Sequence, residues 1–141
     1  MSRRVVALCF SLFSPAVVAA GLEISNGWIR LLPAGVPAAA YFELRNSGRT
    51  AAALIGASTP AFGQAMLHRT AEDRGRTTMT HVDEVEVPAG GKIVFSPGGY
   101  HVMLMKLTRA LSIGDTVPLT LGFKSGDKIT AQFQVRGPSG K

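Results

Sequence analysis

Apolar residues recur at every second position along most of this chain, in short runs that Gly and Pro interrupt every few residues. No long segment keeps a period of 3.6, so helices are not expected, whereas strict alternation is the mark of a half-buried strand. The pattern predicts strands over residues 24–32, 39–46, 51–58, 64–70, 77–86, 92–95, 101–107, 116–123 and 128–135. Arg74-Gly75-Arg76 and Lys124-Ser125-Gly126-Asp127 supply the turn chemistry of hairpins. Pro118 falls early in its strand and cannot donate to a ladder, which predicts a sheet edge or a bulge there. Many short strands with close-spaced turns make an all-β, antiparallel β-sandwich.

The first twenty residues break this pattern. Arg3 and Arg4 precede a short apolar run from Val5 to Phe13, and Val18-Ala19-Ala20 offers small residues before Gly21. That is the layout of a secretory signal peptide over residues 1–20. The run is too short for a membrane span of ~20 residues, and no later stretch approaches that length. The expected organisation is a signal peptide (1–20), one sandwich domain (21–136) and a disordered tail (137–141) that holds no His or Met. A domain of this size is long enough to bury a real core.

Export changes the reading of the cysteine count. The single cysteine, Cys9, lies inside the apolar run, and Val6-Ala7-Leu8 before it is a poor setting for a lipoprotein acceptor. The mature chain then has no thiol, hence no disulfide, thiolate ligand or cysteine nucleophile. The 141-residue chain carries 15 Lys+Arg against 9 Asp+Glu. Losing Arg3 and Arg4 leaves a charge of about +4. No Lys/Arg run and no interleaved aromatic platform accompany it, so nucleic-acid binding is not indicated. No phosphate loop, Ser-His-Asp order or HExxH motif occurs either.

The informative chemistry is confined to one window. All three histidines, and every methionine after the initiator, fall between Met66 and Met105. Four of them are spaced His68, ten residues, Met79, twenty-one residues, His101, Val102, Met103. Imidazole and thioether are neutral and fairly soft, a donor set that suits Cu(I) and does little for Mg, Ca or Mn. Alternation puts His101, Met103 and Met105 on one face of their strand, Met66 beside His68, and Met79 beside His81. Among the remaining candidates, Met105 is expected in the core below the site and Trp28 in the core. Met66 is assigned to packing, Tyr100 to buttressing its strand, and His81 stands between solvated residue and auxiliary ligand.

The spacing, together with Gly27-Trp28-Ile29-Arg30, Ala39-Ala40-Tyr41-Phe42, Pro97-Gly98-Gly99-Tyr100-His101-Val102-Met103 and Gly114-Asp115-Thr116-Val117-Pro118, resembles the PCu(A)C family of periplasmic copper chaperones. The resemblance covers roughly residues 22–136 and implies a cupredoxin-like sandwich. It also implies one Cu(I) per chain on His68, Met79, His101 and Met103. The implied role is not enzymatic: a monomeric periplasmic carrier hands copper by ligand exchange to a haem-copper oxidase centre or its assembly factor. Some members carry a His/Met-rich tail for Cu(II), which residues 137–141 do not match. A copper-dependent redox enzyme and a copper-buffering or resistance protein are the alternatives. A blue-copper centre would need a cysteine.

Overall fold

A computed structural model describes residues 21–141; the expected signal peptide and Cys9 lie outside the described residues. Ten strands form: β1 (Leu22–Arg30), β2 (Ala38–Asn46), β3 (Ala52–Ser58), β4 (Phe62–Asp73), β5 (Arg76–His81), β6 (Val85–Val87), β7 (Lys92–Phe95), β8 (Tyr100–Leu107), β9 (Thr116–Phe123) and β10 (Lys128–Arg136). No helix occurs among the described residues. The hydrogen-bonded order is β5-β4-β8-β2-β1-β10-β9-β3-β6, with β7 added to β2 beyond the end of β8. All pairings are antiparallel except β1 with β10, a departure from the wholly antiparallel expectation.

The path folds over on itself because its apolar faces share one core. Leu67, Val102 and Leu104 from β4 and β8 join Phe42 and Leu44 of β2, Leu119 and Leu121 of β9, and Phe133 of β10 in a single buried cluster. Phe42 stacks at 4.4 Å on Phe95 of the adjacent β7 and meets Phe133 edge-on at 5.7 Å, so β2 and β10, which are not neighbours in the sheet, touch through side chains. Each fully buried side chain of this size contributes roughly 1.5–3 kcal/mol. The result is the cupredoxin-like β-sandwich.

Three local features position the site. The first is a bulge in β1 between Ser25 and Trp28, with Asn26 at φ 53. One extra residue reverses the alternation: Leu22 and Ile24 face the core, but so does Ile29, and Trp28 turns outward. Gly27 fits closely there, since a Cβ would sit 3.0 Å from three ring atoms of Phe133, tighter than an ordinary contact. Trp28, expected in the core, is therefore half-buried on the outer face, where its ring lies 4.8 Å from Tyr41.

The second is the β4–β5 hairpin, whose turn residues Arg74 and Gly75 both have positive φ (50 and 76), the geometry of a tight type I′ turn. The third is the break after His81. The strand expected over 77–86 divides: β5 pairs with β4, while β6 pairs with β3 at the other end of the sheet. Val82 closes β5 by donating to Leu67 O, and Asp83-Glu84, poor strand formers, make the crossing.

Pro118 pairs with Gln132 of β10, whereas the pairing of β9 with β3 begins only at Thr120, so the proline occupies a local edge. Residues 137–141 include a turn in which Gly140 donates to Gly137 O at 2.9 Å and lies against Trp28.

Candidate metal centre

The ladder register brings the sequence candidates onto one outer face. His68 stands directly opposite His101 on β4–β8 and directly opposite His81 on β4–β5. The rings follow, with His68 5.8 Å from each neighbour. Met66 is opposite Met103. Met79 is opposite Thr70, one step diagonal from His68 towards the turn of the hairpin. On the core face of the same strands lie Leu67, Val102 and Leu104, so the alternation separates ligand chemistry from packing.

Ala39 and Tyr41 of β2 continue this outer face beyond β8; the tyrosine ring is 6.4 Å from that of His101. The segment 31–37 covers it, leaving an open cleft of about 790 Å³ bordered by Met79, His101, Met103, Tyr41, Arg30 and Val36. Exposure is graded across the candidates: His101 is buried at 4%, His68 and Met103 are half-buried, and Met79 is 59% exposed. Met105, expected in the core, points to the outer face opposite Gln64 and is half-buried. Alternation fixed its face correctly, but the core lies on the other side of the sheet.

Among the described residues, the buried polar side-chain atoms without a hydrogen-bond partner are Arg30 Nε and the two ring nitrogens of His68. Such an arrangement costs about 1–3 kcal/mol per orphaned group. His101 differs: its Nδ1 lies 3.4 Å from Gly99 O, the direction in which a ring N–H donates, which leaves Nε2 as the free lone pair. His81 Nε2 is 3.0 Å from Asp83 Oδ1 at the solvent edge. The two His68 nitrogens without protein partners, with Met66, Met79 and Met103 at neighbouring register positions, are donors that fit a soft cation. Among the described residues no three His, Cys, Asp or Glu side chains converge as a metal group, so a four-donor set on this face needs methionine.

Electrostatics keep the imidazoles neutral. Burial pushes the His68 pKa down, and the neighbouring His101 and His81 push it further. Burial also lowers His101; the Gly99 carbonyl opposes this and the Arg30 guanidinium reinforces it. Arg30 is fixed by a 2.6 Å bond to the Tyr41 hydroxyl and lies over the Tyr41 ring. Burial raises the Tyr41 pKa, with Arg30 acting against it. The role of this Arg30–Tyr41–Trp28 wall was not legible in the His/Met pattern; the bulge that turns Trp28 outward was the missing signal. Tyr100 stacks on Phe95 at 5.5 Å and carries Arg69 over its ring, and so buttresses β8 as expected.

Residues 22–135 match the family model described as "Putative lipoprotein LpqE-like". A curated relative, "Putative lipoprotein Lxx21020" of Leifsonia xyli subsp. xyli, is 32% identical over 128 residues, covering 90% of this chain and 76% of the relative. The Cu(I) form of DR1885 from Deinococcus radiodurans is 31% identical with a TM-score of 0.65, covering 86% of this chain and 83% of that one. This chain belongs to the LpqE-like family, and its domain is of the PCuAC type. The copper-bound PCuAC domain of PmoF2 shares the fold, with a TM-score of 0.70 at 24% identity over 84% of this chain and 94% of that domain. The candidate centre occupies the outer face of the β5-β4-β8-β2 half of the sandwich.

Proposed function

We propose that this chain is an extracytoplasmic Cu(I) carrier that holds one ion on His68, Met79, His101 and Met103 and passes it to an acceptor protein by ligand exchange. The observation that carries the reading is the pair of buried, unpartnered nitrogens on His68, set directly opposite His101 and beside Met103's strand position. Four neutral donors leave the ion its full charge, and Arg30 adds a positive charge next to His101. Both features penalise a doubly charged ion more than a singly charged one, so Cu(I) is favoured over Cu(II). The Cu(I) form of DR1885 supports the choice of ion.

Transfer follows the gradient of exposure. Met79, the outermost donor, is displaced first by an incoming acceptor ligand, then Met103, and the buried His101 leaves last. Copper remains Cu(I) throughout, so no electron donor is needed and no substrate is turned over. The acceptor we propose is the copper centre of a periplasmic-facing respiratory oxidase or its assembly factor. Competition with a Cu(I) chelator in the absence of oxygen tests the site: one tight equivalent is expected, and none would sink the reading. Incubating the loaded chain with a copper-free oxidase subunit tests delivery. Retention of the metal against a stronger acceptor would point to buffering instead.

A further inference from the structure

We propose that Met66, Met103 and Met105 form a second, all-thioether position through which Cu(I) enters and leaves the resting site. The inference rests on the Cu(I) reading above but uses residues outside the quartet. On the outer face of β4–β8, Met66 stands opposite Met103 and Gln64 opposite Met105, so four side chains mark the corners of a rectangle. Directly opposed Cβ atoms on such a ladder are ~4.5–5.5 Å apart, and same-face neighbours along a strand are separated by ~6.6–6.8 Å. Methionine has three soft torsions, enough for the three sulfurs to converge without backbone movement. None of the three belongs to the hydrophobic core, and all are half-buried. The fourth corner, Gln64, donates its Nε2 to Met66 Sδ at 3.3 Å, holding that sulfur on the open face.

Two of the three, Met103 and Met105, line neighbouring clefts that share a wall. Met105 lines a second cleft of about 350 Å³ with Phe62 and Leu107. Leu32, Val36, Pro37 and Ala38 form a wall common to this cleft and to the one holding Met79, His101 and Met103. Three thioethers are uncharged and bind no proton in the ordinary pH range, so they select Cu(I) against Cu(II) and Zn(II). Lacking imidazole, they hold the ion more weakly than the quartet, which suits a staging position. Met103 belongs to both sets, so only one is filled at a time. The ion moves by exchanging Met66 and Met105 for His68, His101 and Met79 while Met103 stays bound, and copper remains Cu(I).

The test is anaerobic stopped-flow transfer from the Cu(I)–bicinchoninate complex to the whole chain, compared with the Met66→Leu/Met105→Leu double variant. The variant should keep one equivalent and nearly the parental equilibrium affinity, but load about tenfold more slowly, the change that ~1.4 kcal/mol of barrier produces. A companion variant lacking both imidazoles, His68→Gln/His101→Gln, should retain weak Cu(I) binding that does not vary between about pH 5 and 8, because thioethers do not titrate. Adding Met105→Leu to it should abolish that binding. An unchanged loading rate in the double variant, with tight binding intact, overturns the staging position and leaves the carrier reading standing. Loss of tight affinity in the double variant also overturns it, since Met66 and Met105 would then be resting ligands. Failure of the parental chain to bind Cu(I) overturns both.

Discussion

His68 and His101 are held neutral by burial, and His101 also by Arg30. A ligating imidazole must give up its proton, so the direction of these shifts sets the pH range of binding. With both pKa values below the ordinary 6.5, protons compete only under more acidic conditions than for a free histidine. Cu(I) affinity should therefore stay flat from pH 8 to about 6.5 and fall below that, as chelator competition at stepped pH would reveal; an affinity flat to pH 5 would exclude the histidines as ligands. The same depression has a stability consequence. The unfolded chain binds protons first, so metal-free stability is full above the unfolded pKa and declines as pH falls through the folded values, which melting curves at pH 7 and 5 should register. Sulfur can be separated from bulk in the same spirit. Met103→Leu roughly conserves volume and should cost less than ~1.5 kcal/mol of stability while weakening Cu(I) binding; an unaltered affinity would remove Met103 from the ligand set.

Hairpins and bulges carry these side chains to their places. Met79 reaches the site only because β5 folds back through a turn with Arg74 and Gly75 at positive φ. Gly75→Ala, where open space but a left-handed φ awaits the new methyl, should cost ~1 kcal/mol and weaken Cu(I) binding by loosening the arm that bears Met79. Gly27→Ala meets the Phe133 ring instead and should cost ~1–3 kcal/mol in urea denaturation, with a change in Trp28 fluorescence as the outward wall shifts. These elements also show what the sequence could disclose. Alternation along 101–107 placed His101, Met103 and Met105 on one face, and the ladder register agrees. Alternation could not say which face the core would cover, and so Met105 was misplaced. Nor could it count through the Ser25–Trp28 bulge, where one inserted residue reverses every later assignment in the strand and sends Trp28 outward. The division of 77–86 was hidden for a different reason. Strand propensity persists through Val82, and only long-range pairing decides that β5 belongs to β4 and β6 to β3.

At the scale of the whole molecule, location decides how the proposed carrier would meet an acceptor. No helix among the described residues is long and apolar enough to cross a membrane. Relatives bear the name lipoprotein, which speaks for the envelope, and here the two ways of reaching it leave different products. Cleavage after Ala20 gives a chain beginning at Gly21, free of thiol and carrying about +4, which diffuses to its acceptor in the periplasm. Acylation of Cys9 would keep residues 9–20 and tether the domain to the membrane, raising its effective concentration near a membrane-bound oxidase. The residues before Cys9 are Val6-Ala7-Leu8, and the apolar run continues past it through Phe10, Leu12 and Phe13, so the acceptor is poorly framed and the Val18-Ala19-Ala20 site is well framed. We expect intact-mass measurement of the exported protein to give the unmodified chain from Gly21, released by osmotic shock in the soluble fraction. A membrane-bound product beginning at an acylated Cys9 would reverse that assignment and make this chain a tethered carrier.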